Sequence, residues 1–119
     1  MSMKSFELRN PKSLGEAISL LDSNDKFHER TKILAGGQDL LTEMKEHIIE
    51  PEVVVNLKSI PGLNYIKFDP KTGLKIGALT HLADIAADKN VRQFFPALAI
   101  AAESVGSAQI RNMGTIGGN

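Results

Sequence analysis

Three consecutive valines, Val53-Val54-Val55, constrain this chain most. Successive side chains of a strand point to opposite faces, so an unbroken apolar run predicts a strand buried on both sides, as in a parallel sheet. The upstream sequence has the elements such a sheet needs. Phe6 to Leu8 reads as a short strand ended by Asn10-Pro11. Ser13-Leu14-Gly15-Glu16 fits a capping box, with Ser13 as N-cap and Glu16 reaching back. Leu14, Ala17, Ile18 and Leu21 continue at helical spacing, which predicts a helix from about Ser13 to Leu21. The polar stretch Asp22 to Arg30 reads as a loop. Thr31 to Ala35 is a β-prone run that stops at Gly36-Gly37, and Leu40, Leu41, Met44 and Ile48 then recur at helical spacing until Pro51. Strand, helix, strand, helix, strand predicts a small parallel α/β layer.

The second half changes character near Pro61-Gly62, where a boundary between subdomains of about 1–60 and 61–119 is expected. Tyr65 to Asp69 and Leu74 to Ile76 read as a hairpin around the turn Asp69-Pro70-Lys71-Thr72-Gly73. Thr80 is expected to cap a short helix carrying Leu82, Ile85 and Ala86. Pro96 suits the first turn of another helix, whose small-residue apolar face runs from Ala97 to Val105. Gly106 to Asn119 holds four of the ten glycines and shows no long periodic pattern.

Charge and composition remove several function classes. Lys plus Arg and Asp plus Glu each total 14, so the net charge is zero. A nucleic-acid binder or a polybasic membrane patch would need a basic surplus, so neither partner is expected. With no Cys, the chain has no thiolate nucleophile, disulfide framework or iron–sulfur ligand set of its own. No apolar run approaches the roughly 18 residues of a membrane span. Met1-Ser2-Met3-Lys4 lacks the apolar core of a signal peptide, and a cytoplasmic location is expected.

Two segments have the composition of a ligand loop. Ala35-Gly36-Gly37-Gln38-Asp39-Leu40 lies between a predicted strand and a predicted helix. Paired glycines let the backbone turn sharply and approach a ligand, and the helix start adds unpaired N–H groups suited to phosphate. The same spacing also fits a plain strand-to-helix turn. Gly114-Thr115-Ile116-Gly117-Gly118-Asn119 places three glycines, a hydroxyl and an amide within six residues. Consecutive amides there could form an anion-binding concavity helped by the Thr115 and Asn119 side chains, or the segment could be a disordered chain end. Arg111 could pair with phosphate or form a structural salt bridge. His28, His47 and His81 show no metal-ligand spacing, Asp84 and Asp88 could be paired carboxylates but read better as a solvated helix face, and Met44 and Met113 read as core or loop filler. No catalytic residue and no metal site are expected.

Taken together and in order, the two segments carry a resemblance. Ile33-Leu34-Ala35-Gly36-Gly37-Gln38-Asp39-Leu40-Leu41 and Val105-Gly106-Ser107-Ala108-Gln109-Ile110-Arg111-Asn112-Met113-Gly114-Thr115-Ile116-Gly117-Gly118-Asn119 resemble the FAD-binding subunit of molybdenum hydroxylases. That group includes flavin subunits of xanthine dehydrogenase, carbon monoxide dehydrogenase and nicotinate dehydrogenase-like enzymes. Val53-Val54-Val55-Asn56-Leu57 and Ile76-Gly77-Ala78-Leu79-Thr80 match the same pattern, so the resemblance covers nearly the whole chain.

The resemblance implies an α+β fold with an α/β N-terminal part, an FAD-binding domain of the vanillyl-alcohol-oxidase (PCMH) type, here truncated. It implies that Ile33, Leu34, Ala35, Gly36, Gly37, Gln38, Asp39 and Leu40, with Thr115, Ile116, Gly117, Gly118 and Asn119, wrap the FAD pyrophosphate mainly through backbone amides. Val105 falls where the family places an apolar cofactor contact. Implied partners are a molybdopterin-binding large subunit, a small subunit carrying 2Fe-2S clusters, and the rest of the flavin subunit. Electrons would pass from the clusters through FAD to NAD or another acceptor. Flavin subunits of this kind usually continue well past the second glycine motif, and this sequence stops on it. The residues that would cover the isoalloxazine ring are therefore missing, and the isolated chain is expected to be inactive. The alternatives are a non-enzymatic module binding a nucleotide or other anion, and a docking fragment without cofactor.

Overall fold

The computed structural model describes residues 4–21 and 30–118. The chain divides into two compact units, Met1–Pro61 and Gly62–Asn119. In the first, β1 (Glu7–Arg9), α1 (Leu14–Leu20), β2 (Thr31–Leu34), α2 (Gln38–Lys45) and β3 (Val53–Asn56) follow in sequence. The strands form one sheet of order β1-β3-β2, parallel throughout, with Glu7 and Thr31 both level with Val53. The central position of β3 explains its composition. Val54 and Val55 face opposite sides of the sheet, and each is only 1% exposed.

Helix α1 begins where its cap predicts. Ser13 Oγ accepts from the Glu16 amide at 3.1 Å, which satisfies one orphan donor of the first turn. The return arm of the capping box is displaced: the Glu16 carboxylate accepts from the Lys12 amide at 2.9 Å, one residue before the cap. Leu14, Ala17, Ile18 and Leu21 line an apolar groove with Ile33, Val55 and Leu57. Strand β1 starts one residue later than expected, and the loop expected at 22–30 lies outside the described residues except for Arg30.

Helix α2 ends earlier than its apolar spacing predicts. His47 adopts a left-handed conformation, φ 58°. Its amide donates to the Met44 carbonyl at 3.2 Å, and the Ile48 amide donates to the Glu43 carbonyl at 2.9 Å. This pair of bonds is a Schellman closure, with histidine where glycine is usual. The chain reverses before Ile48 can extend the buried face that includes Met44, and Ile48 is 67% exposed.

The second unit contains the hairpin β4 (Ile66–Asp69) and β5 (Gly73–Ile76), then α3 (Leu82–Ala87), α4 (Lys89–Phe94), α5 (Pro96–Glu103) and α6 (Ala108–Met113). The hairpin is antiparallel, with Ile66 opposite Ile76 and Phe68 opposite Leu74. Asp69 closes its turn by accepting from the Lys71 and Thr72 amides at 2.7 and 3.2 Å. Leu82, Ile85, Val91, Ala99 and Ala102 form the core, against which Ile66, Leu74, Ile76 and Val105 pack. Phe68 stacks on Phe94 with ring centroids 4.8 Å apart. Pro96 occupies the first turn of α5, as its fixed φ favours.

Three expectations change here. Thr80 does not cap α3; the N-cap is His81, without a side-chain cap bond. Asp88 is not part of a solvated face but the N-cap of α4, accepting from the Val91 amide at 3.0 Å. The glycine-rich segment contains α6, capped by Ser107 Oγ on the Ile110 amide at 3.2 Å. α4 and α6 are as short as α3, but each carries only two large apolar residues, Val91 and Phe94 or Ile110 and Met113, too few to mark a face in the sequence.

The left-handed turn at His47 is a testable strain. Glycine removes the Cβ conflict but adds unfolded-state entropy, so His47→Gly is expected to raise stability by only about 0.5 kcal/mol. Urea denaturation measures the change.

Candidate functional site

The first glycine loop is built by the end of β2 and the start of α2. Ala35 is buried, and Gly37 is the N-cap of α2 with φ 87° and ψ 0°. A Cβ at Gly37 would sit 3.1 Å from both the Leu34 and Leu41 side chains. Glycine is thus required twice, by the positive φ and by the crowding. Gly36 is not among the positive-φ residues. The Gly37 carbonyl accepts from the Leu41 amide at 3.1 Å, and Gly37 as N-cap has no side chain with which to cap the helix. The amides of Gln38, Asp39 and Leu40 therefore lie in the first turn, where the helix itself has no acceptor for them. An uncapped N-terminus concentrates partial positive charge and presents donors to an anion.

The second loop is also shaped by main-chain pairing, but to the opposite effect. Thr115 pairs with His81 in an isolated antiparallel bridge. The Leu82 amide donates to the Gly114 carbonyl at 3.0 Å, and the Ile116 amide to the Thr80 carbonyl at 3.0 Å. The Gly117 amide donates to the Ala78 carbonyl at 2.8 Å, and the Gly118 amide to Thr115 Oγ1 at 3.1 Å. Three amides of the expected cradle are thus committed within the chain. Gly117 is required here by proximity: a Cβ would lie 2.7 Å from the Ala78 carbonyl oxygen and 2.8 Å from the Ala78 Cβ. Thr115 is buried, and Asn119 lies outside the described residues.

Arg111 and Val105 are both tied into the fold of the second unit. Among the described residues Arg111 forms no salt bridge. Its Nη1 donates to the Val105 and Gly106 carbonyls at 3.2 and 3.1 Å, tying α6 to the end of the preceding segment. Val105 packs against the core of the second unit. The docking strip for the second loop, Ala78 to His81, was not singled out as a site by sequence reasoning. Thr80 fixes it: its buried hydroxyl accepts from the Tyr65 amide at 3.1 Å and donates to the Tyr65 carbonyl at 3.0 Å. The only sequence signal was the Ile76–Thr80 run, which has no chemical motif of its own. Among the described residues, no group of three His, Asp or Glu could hold a metal ion. Nor is any helix among them long and apolar enough to cross a membrane.

These features define a mixed α+β domain with a glycine-led helix start and a second glycine loop paired to its own fold. Comparison with known proteins gives the family. Residues 4–119 match the FAD binding domain in molybdopterin dehydrogenase, and the chain belongs to that family. It is 42% identical over 117 residues to the nicotinate dehydrogenase FAD-subunit of Eubacterium barkeri, covering 98% of this chain and 38% of that protein. It is 40% identical over 114 residues to the carbon monoxide dehydrogenase medium chain of Hydrogenophaga pseudoflava, covering 96% and 38%. A solved structure of carbon monoxide dehydrogenase from that organism superposes with a TM-score of 0.87 at 39% identity, covering 99% of this chain and 40% of the other. The chain therefore spans about two fifths of the length of these relatives.

The contact at Gly117 generates a prediction. Backbone atoms cannot rotate away from an added Cβ, so Gly117→Ala is expected to destabilise the cofactor-free complete subunit by about 2 kcal/mol. Gly73 has open space but φ 95°, so Gly73→Ala is expected to cost about 1 kcal/mol through backbone strain alone. Paired urea titrations give both values.

Proposed function

We propose that this chain is the FAD-holding part of a multi-subunit molybdenum hydroxylase. The single observation that carries the reading is the uncapped, glycine-led N-terminus of α2 in a chain of this family. Ile33 to Leu40 are the proposed first segment, in which the amides of Gln38, Asp39 and Leu40 donate to pyrophosphate oxygens. Thr115 to Asn119 are the proposed second segment. The amides of Ile116, Gly117 and Gly118 are internally paired, so this segment contributes by a close, side-chain-free surface more than by amide donation. Val105 is proposed as an apolar contact made through its unburied part.

When bound, FAD supplies a carrier that accepts electrons singly and delivers them in pairs. In this proposal, electrons arrive from 2Fe-2S clusters on a small subunit, originate at a molybdopterin site on a large subunit, and leave to NAD or another acceptor. The assembly works in the cytoplasm. The role of this chain is binding and orientation: its residues hold the cofactor, and none is assigned a proton or hydride. The similarity to the FAD-subunit of a nicotinate dehydrogenase and the medium chain of a carbon monoxide dehydrogenase supports the reading.

A β-branched residue at the N-cap both opposes φ 87° and fills the turn. Gly37→Val in the complete flavin subunit is therefore expected to lower FAD affinity at least about tenfold. In the assembled enzyme, substrate should still reduce the metal centres while turnover with the final acceptor falls with flavin content. Flavin absorbance per subunit and acceptor-linked turnover check both parts. A folded Gly37→Val assembly with full flavin content would contradict the proposal.

A further inference from the structure

The strip Gly77 to Thr80 is bonded on two sides. The Gly77 and Leu79 amides donate to the Tyr65 and Leu63 carbonyls at 2.9 and 2.8 Å, in the segment that leads into β4. The Ala78 and Thr80 carbonyls accept from the Gly117 and Ile116 amides at 2.8 and 3.0 Å, in the second glycine loop. The strip thus carries the loop, and the segment from Leu63 to Tyr65 carries the strip.

Thr80 is the point where this arrangement depends on a side chain. Its amide turns back to the Gly77 carbonyl at 3.0 Å and its carbonyl serves Ile116, so its main chain makes no bond to the Leu63–Tyr65 segment. The hydroxyl makes that link instead, accepting from the Tyr65 amide at 3.1 Å and donating to the Tyr65 carbonyl at 3.0 Å. Packing alone does not call for threonine here. The residue is 1% exposed, and valine would fill the same space with no hydroxyl to satisfy. What threonine adds is a rigid connection: side chain to Tyr65, carbonyl to Ile116.

We infer that Thr80 is the positioning residue of the second cofactor segment, its hydroxyl fixing where Thr115 to Gly118 meet FAD without touching the cofactor. The inference rests on the FAD reading above. It goes beyond that reading by placing a determinant of FAD affinity outside both glycine loops.

The test uses the complete flavin subunit with Thr80→Val, Thr80→Ser and Val91→Ala. Valine keeps the shape and removes the hydroxyl, and serine keeps the hydroxyl. Val91→Ala empties part of the core without touching any of these hydrogen bonds, and so controls for general loss of stability. Three quantities are read: FAD affinity by titration, the melting temperature without FAD, and amide exchange at Ile116 and Gly117 without FAD. Thr80→Val is expected to lose at least about tenfold in affinity and to exchange faster at both amides, with Thr80→Ser within about threefold of wild type. Val91→Ala is expected to lower the melting temperature by a comparable amount and to hold affinity within about threefold. Unchanged affinity or unchanged exchange in Thr80→Val overturns the inference. Failure of serine to restore affinity, or an equal loss in Val91→Ala, overturns it as well and assigns a merely structural role. If Thr80→Val does not fold, Thr80→Cys decides, because its thiol is a weaker hydrogen-bonding group. Intermediate affinity in the folded cysteine variant supports the inference, and wild-type affinity overturns it. If Gly37→Val loses FAD while Thr80→Val keeps it, only the role of Thr80 is wrong. If wild type takes up no FAD, the underlying reading fails with it.

Discussion

Every main-chain N–H that leaves water must find an acceptor, and this requirement separates the two glycine loops. At the second loop the acceptors are within the chain. Ile116, Gly117 and Gly118 donate to Thr80, Ala78 and Thr115, which folds the motif flat against the strip that precedes α3. At the first loop, Gly37 opens α2 without a capping side chain, and the first-turn donors have no acceptor in the helix. The same residue type therefore serves two purposes. Gly37 supplies a left-handed turn that exposes donors, and Gly117 supplies a missing Cβ that lets donors be buried.

That division explains why composition alone overstated the symmetry of the motifs. Two glycine-rich segments read as two amide cradles, because counting glycines says nothing about where the neighbouring carbonyls lie. The carbonyls that occupy the second loop belong to Ala78 and Thr80, more than thirty residues earlier in the chain. Long-range pairing of this kind is invisible to local pattern. Arg111 shows the same limit: its charge suggested an anion or a carboxylate, and its partners are two main-chain carbonyls five and six residues away.

Much of the fold was legible where local chemistry is strong. The run Val53-Val54-Val55 demanded burial on both faces and is the centre of the parallel sheet. Ser13, Pro96 and the Asp69–Gly73 turn each mark a real boundary, because cap, ring and Asx chemistry act within a few residues. The failures follow the same logic. Helix α2 stops at a Schellman turn built on a histidine, which has no glycine to announce it. Helices α4 and α6 carry too few large apolar residues to mark a face, although Asp88 and Ser107 are ordinary caps that mark their starts. The family was legible for a different reason: two motifs in fixed order are far more specific than either loop's physics.

The central claim is that the first-turn donors of α2, which have no acceptor within the helix, serve the cofactor, while the amides of Ile116, Gly117 and Gly118 are already paired within the fold. Amide hydrogen exchange on the complete flavin subunit, with and without FAD, tests it most directly. The account predicts that the amides of Gln38, Asp39 and Leu40 exchange fast without FAD and become protected when it binds. Those of Ile116, Gly117 and Gly118 should be protected in both states. Amides at 38–40 that are indifferent to FAD, or amides at 116–118 protected only when it is present, would contradict it.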